Sequence, residues 1–306
     1  MIRLLASEWL GFRSRRIVRW LMNVTVVGIV VVAIIAGAVS HKPTEAELAR
    51  AQRRYEKNVA ACIEQGRVNR DAPAGTSVKD LCRERFSEAE FVRNEGLRLD
   101  DLDKYLLGTA FIVLLFGLVI GASMVGAAWQ AGTITTTLTW EPRRIRWFVS
   151  RVLVVAVGVA AVAAVLMALL ATALVVVTAL RGSTATSTPW LRDVALTIAR
   201  IAAVAAAIGV IGAAVAMIGR HTAAALGAVF VYMAVLESIV RGLRPALGRF
   251  LLGDNIGTVV TATATELYRG ESILRLTPQH GAVVIALYVV VLVGAALVLL
   301  RVRDVN

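Results

Sequence analysis

WQAGTITTTLTWEPRRIRWFVSR, residues 129–151, is the stretch on which the fold reading turns. No charged residue occurs from Tyr105 to Trp140, and none from Val152 to Leu180. Each of these runs exceeds the roughly 20 apolar residues that cross a bilayer's hydrocarbon core. The arginine-rich end of the stretch must then lie at a membrane surface. Pro142 suits the first turn of a helix, with Trp140 or Glu141 at its start. Arg143, Arg144 and Arg146 follow, with Ile145 and Trp147 between them, and predict a short amphipathic helix along the interface. Such a helix can rest on lipid or fit a groove in another protein.

The composition agrees. With 306 residues, 58% of them hydrophobic, the chain suits a single polytopic membrane domain, residues 1–306, of the all-α class. The net charge of +12 does not indicate a nucleic-acid binder, because the arginines gather at the ends of apolar runs rather than on one aromatic-laced face. All basic residues but Lys42, Lys57, Lys79 and Lys104 are arginine, and Ala and Val fill the spans, a composition typical of a high-GC bacterium.

Taken in order, Met1–Arg19 sets Leu5, Trp9 and Phe12 at helical spacing against Arg3, Arg13, Arg15, Arg16 and Arg19, which predicts an N-terminal amphipathic interfacial helix. Trp20–Ser40 is the first span, and the arginines before it hold the N-terminus in the cytoplasm. Cleavage after the small residues near Ala38 is disfavoured, because the apolar run is too long for a typical signal peptide. Residues 41–103 form a polar, nearly neutral insertion. It carries three capping-box-like starts, Thr44 with Glu47, Ser77 with Asp80 and Ser87 with Glu90. The apolar stripe Leu48, Ala51, Tyr55, Val59 and Ile63 marks its first helix. The insertion faces outward if the first span runs inside to out, and it holds both cysteines, Cys62 and Cys82. A disulfide or two buried thiols would fit; a metal site is disfavoured by the lack of nearby histidines other than His41.

Five further spans are predicted at about Tyr105–Ala128, Val152–Leu180, Val194–Ile218, Ala223–Val240 and Gly281–Leu300. Gly108, Gly117, Gly121 and Gly126 suggest close helix contacts in the second. Arg200, near the outer end of span four, either snorkels to the interface or lines a pathway. Glu237 in span five is followed four residues later by Arg241, a spacing that suits an ion pair, although an intramembrane acid is also a functional candidate. Residues 241–280 are too polar to span and too apolar for an ordinary loop, which predicts re-entrant or interface-lying helices. The six-span topology puts 12 basic residues inside against Glu8, Glu141 and Asp304, the expected bias, with both termini cytoplasmic.

No GxxxxGK[ST] phosphate loop and no HExxH motif occurs, and His41, His221 and His280 lie near different surfaces. No cofactor or metal is expected on this chain, and no catalytic nucleophile with a positioned base is evident.

The amphipathic start with Glu8, SRRIVRWL at Ser14–Leu21, GTITTTLTWEPRRIRWFVSR at Gly132–Arg151, GRHTAAALG at Gly219–Gly227 and the semi-apolar segment before the last span together resemble the membrane subunit of type-2 ATP-binding-cassette exporters, in their small bacterial permease form. The resemblance covers nearly the whole chain. It implies export across the plasma membrane, driven by a separate ATPase subunit that binds ATP and magnesium, with a second permease subunit, identical or different, completing the pathway among membrane lipids. Glu141, Pro142, Arg143, Arg144 and Arg146 would couple to the ATPase, with Glu8, Arg15 and Arg16 nearby. The chain departs from many relatives at Ala128, where they have an acid, and at Gln130, where a basic residue is common. The substrate would be hydrophobic or amphipathic. Two other classes are open: a structural or sensory membrane protein that binds a partner through the insertion, and a membrane enzyme acting on lipid-linked substrates.

Overall fold

The computed structural model describes residues 2–40, 44–69, 77–86, 91, 97, 99, 102–140, 143–181, 190–269 and 272–302. Their regular structure is almost entirely helical. Among the described residues six helices are long and apolar enough to cross a membrane, the architecture of a multi-pass membrane protein. In lipid only a helix satisfies its own backbone N–H and C=O groups segment by segment, so apolar length alone writes these elements into the sequence.

In chain order, α1 (Ile2–Ser14) leads into the first long helix α2 (Arg16–Val39). The shorter α3 (Glu45–Asn69) and α4 (Val78–Arg85) follow, then α5 (Leu102–Gln130), the short α6 (Thr133–Trp140), α7 (Arg144–Arg181) and α8 (Trp190–Gly219). The fifth span runs from α9 (Thr222–Val231) through a π-helical turn, Tyr232–Leu236, into α10 (Glu237–Leu243). A 3₁₀ turn at Pro245–Phe250, α11 (Leu252–Thr261), strands β1 (Thr265–Arg269) and β2 (Ser272–Leu276), and α12 (Pro278–Val302) complete the chain.

Two expectations need correction. Arg144 and Arg146 do not belong to a separate short helix beginning at Pro142; they open α7, which continues unbroken to Arg181. Trp147 and Phe148 explain this, being fully buried in a core with Ile134, Ala213, Ala214, Met217 and Ala225, so α7 is fixed to the core from its first turns. The short helix is instead α6, a threonine-rich stretch in which Thr137 Oγ1 donates to Thr133 O (2.7 Å) and Thr139 Oγ1 to Thr136 O (2.6 Å). These bonds satisfy the hydroxyls within the helix. Glu141 and Pro142 lie outside the described residues. The segment before the last span is also not wholly helical, because β1 and β2 pair antiparallel from Thr265↔Leu276 to Arg269↔Ser272.

The chain divides into two compact units. The larger comprises Met1–Gly28, Asp103–Ala171 and Leu191–Asn306. At its centre α5 and α8 are the most enclosed helices, and they meet backbone to backbone. A Cβ on Gly121 would collide with the Gly209 carbonyl, and one on Gly212 would sit 2.7 Å from Leu118 O. The glycines predicted to make close contacts do so at Gly117, Gly121 and Gly126; Gly108 faces open space.

The second unit, Ile29–Leu102 with Thr172–Trp190, contains α3 and α4. Thr44 and Glu47 form the expected capping box: Thr44 N donates to Glu47 Oε2 at 2.8 Å and Glu47 N to Thr44 Oγ1 at 3.4 Å. Ser77 precedes α4 without a side-chain cap bond, and Ser87 and Glu90 lie outside the described residues. Ala51 and Val59 bury the middle of the α3 stripe, whereas Leu48 at its start is exposed. Cys62 and Cys82 form a disulfide that ties α3 to α4.

Candidate functional site

Arg151 lies seven residues into α7, and apolar neighbours leave it almost no access to water. Glu8 of α1 meets it there. Arg151 Nε donates to Glu8 Oε2 at 2.9 Å and Nη2 to Oε1 at 3.0 Å, a two-pronged pair that is stronger and more directional than a single contact. The same guanidinium donates to Met124 O of α5 (3.3 Å) and lies over the Trp147 ring, 4.5 Å from its centroid. Arg15, at the junction of α1 and α2, donates to Ser123 O (2.7 Å) and Met124 O (3.2 Å). Four helices are thereby joined at one place. Helix α1 is seated further by Phe12, whose buried ring lies against the backbone at Gly158.

Two cations and one carboxylate share this site. Burial first, and then the Arg151 charge, lower the proton affinity of Arg15, while Glu8 opposes the shift. Guanidinium groups do not lose their proton in proteins, so the cluster keeps a net positive charge.

Of the other residues singled out in the sequence, Arg144 donates to Leu300 O at 3.2 Å and so ties the start of α7 to the end of α12. Arg16, Arg143 and Arg146 are exposed. Glu8 and Arg15 are thus brought together, whereas Arg16, Arg143 and Arg146 point to solvent or lipid. The partner that sequence reading missed is Arg151. Its position at the edge of an uncharged run was the only local signal, and its mate lies 143 residues away.

The end of α5 and the turn between α8 and α9 make a second cluster in the same unit. His221 caps α9 by accepting Ala223 N–H at Nδ1 (3.1 Å), and its Nε2 lies 2.6 Å from Gln130 Nε2. Arg220 covers the Trp129 ring at 4.6 Å, and Trp129 Nε1 donates to Met217 Sδ. Arg220 adopts a positive φ of 53°, the local strain of a tight turn. Gln130, noted as a departure from the family pattern, thus contacts this turn.

Glu237 and Arg241 are neighbours, but their closest approach is 3.8 Å. Each has a better partner on α11. Gly253 N–H donates to both Glu237 oxygens, at 3.0 and 3.2 Å, and Arg241 Nη2 donates to Asp254 Oδ1 at 2.8 Å. The buried Glu237 carboxylate therefore caps the first turn of α11, where a helix's N–H groups are otherwise unpaired. Tyr288 of α12 lies 2.5 Å from the Tyr232 hydroxyl and donates to Phe250 O at 3.1 Å, while His280 Nε2 is 2.9 Å from Arg249 O. These contacts pin the segment between the last two spans to α12 and to the π turn. Arg200 is half-buried in α8 with no hydrogen-bond or ion-pair partner among the described residues. Among the described residues no group of three or more His, Cys, Asp or Glu could hold a metal ion.

No protein-family model matches the chain, and no curated protein or solved structure matches it.

Proposed function

We propose that this chain is the permease subunit of a type-2 ATP-binding-cassette exporter in a bacterial plasma membrane. It would move a hydrophobic or amphipathic substrate outward with energy from a separate ATPase that binds ATP and magnesium. A second permease subunit, identical or different, completes the pathway. Both termini and the 129–151 stretch face the cytoplasm, α1 lies in the interface, and residues 41–103 lie outside.

The observation that carries this reading is the Glu8–Arg151 pair with its Arg15 and Met124 contacts. A coupling element must pass a push from a soluble motor into the spans without being absorbed by local flexing. Here the N-terminal helix, the end of α5 and the start of α7 are held by buried, charge-assisted bonds, and α6 sits between the last two in the chain. Arg143 remains exposed for a partner, and Glu141 and Pro142 are assigned to the same contact on sequence grounds.

The test is gentle purification of the full chain from its native membrane. The expected result is a co-purifying protein with a phosphate loop, whose ATP hydrolysis depends on this chain and falls in Glu141→Arg while the spans stay folded. A complex without such a protein, or unchanged hydrolysis in that variant, refutes the coupling assignment. The competing reading, a partner-binding membrane protein that uses no ATP, draws on the disulfide-tied α3–α4 pair. It predicts partner binding that Cys62→Ser abolishes.

A further inference from the structure

Helices α1 and α7 meet at the Glu8–Arg151 pair and at the Phe12 ring on Gly158, and beside these contacts they leave a groove. It has a volume of about 390 Å³ and is lined by Leu5, Trp9, Leu153, Val154 and Val157. Val154 is buried, but Leu153 is 47% and Val157 60% exposed. Apart from the Trp9 indole N–H no side-chain polar group lines it, so water would find few partners there, and hydrocarbon is the better filling.

The charge at one end of the groove narrows the occupant. Arg146 precedes Leu153 by seven residues, two helical turns, and therefore lies on the same face of α7 about 10 Å nearer its N-terminus. That is close to the distance between a lipid headgroup and the upper part of its acyl chains. Arg146 is exposed and has no ion-pair or hydrogen-bond partner among the described residues, whereas its neighbours Arg144 and Arg151 are engaged. A guanidinium presents a planar fork of donors that matches a phosphate.

We infer that the α1–α7 groove binds an anionic phospholipid, with an acyl chain on Leu5, Trp9, Leu153 and Val157 and the headgroup phosphate on Arg146. The inference needs the spans to lie in a bilayer but does not depend on transport or on an ATPase partner. The bound lipid would pack α1 against α7 beside the Glu8–Arg151 pair.

The test uses the full chain in mixed vesicles of phosphatidylglycerol and phosphatidylcholine, extracted into mild detergent, with the retained lipid identified by native mass spectrometry. Phosphatidylglycerol should be retained in preference. Arg146→Gln should lower that preference about fivefold, the contribution of one basic residue near an anionic surface, while Arg192→Gln, the same charge loss on α8, should leave it unchanged. Val157→Trp, which fills the groove from an exposed position, should reduce retention of both lipids. The inference is overturned if Arg146→Gln keeps the preference, if Arg192→Gln weakens it equally, or if Val157→Trp keeps its lipid. A Leu153→Cys variant that cross-links to a second copy in lipid-replete vesicles would overturn it in favour of self-association.

Discussion

Removing Glu8 should cost more than removing Arg151, although each deletes the same ion pair. Glu8→Leu leaves Arg151 buried between Trp147 and Met124 with Arg15 close by, two cations and no anion. Arg151→Met leaves Glu8 buried, but Arg15 still supplies an opposite charge. Breaking a buried pair by deleting one partner costs about 3–5 kcal/mol, while replacing both by apolar groups is often close to neutral. The expected order is therefore Glu8→Leu near the top of that range, Arg151→Met lower in it, and the double variant less destabilised than Glu8→Leu alone. A double-mutant cycle on unfolding in mixed micelles, followed by tryptophan fluorescence, measures the coupling, expected at about 2–4 kcal/mol of mutual stabilisation. Arg16→Met, at an exposed position one residue from Arg15, should change stability by less than about 0.5 kcal/mol. Single effects that add within about 0.5 kcal/mol in the double variant would refute the claim that the pair fastens α1 to α7.

Gly121→Val should prevent a stable fold, because the added carbons would occupy the Gly209 backbone, while Gly108→Val, facing open space, should be tolerated; yield and monodispersity after detergent extraction distinguish them. Cys62→Ser should loosen α4 from α3 by about 3 kcal/mol of lost chain restraint, seen as faster proteolysis within residues 45–85, and thiol labelling of the unaltered chain should require prior reduction. Glu237→Leu should uncap α11 and speed amide exchange at Gly253, while Arg241 keeps its bond to Asp254 and so limits the rearrangement to the first turn of that helix. Equal exchange at Gly253 in both forms would mean that the carboxylate does not hold α11.

The positions of the six spans were legible in the sequence because their cause is local. Each apolar run had to be long enough for hydrocarbon, and the observed helices enclose five of the six predicted spans and end one residue short of Ser40 in the first. The capping box at Thr44 and Glu47 was equally legible, since both members sit within one helical turn. The reading at Pro142 failed for a different reason. Alternating arginines and apolar residues after a proline describe a short surface helix as well as the first turns of a long one, and the choice was made by Trp147 and Phe148 finding a core built from Ile134 and the end of α8. The pairing of β1 with β2 is not legible in the sequence, because a short segment of mixed apolar and polar residues fits either period, and strand pairing decides it.

The charged residues divide along the same line. Arginine density at the ends of apolar runs set the expected topology, because the cost of placing charge in lipid acts on each residue separately. Which acid pairs with which base is a matter of tertiary distance. The spacing of Glu237 and Arg241 suggested one pair, yet α11 folds back and takes both side chains for its own first turn. Glu8 and Arg151, 143 residues apart, carry no mutual signal along the chain. The sequence by itself determined which segments enter the membrane, since transfer free energy sums over neighbouring residues. Only the tertiary structure decided which buried charges neutralise one another, since a charge in a low-dielectric interior is stable only beside a partner that folding brings within about 3 Å.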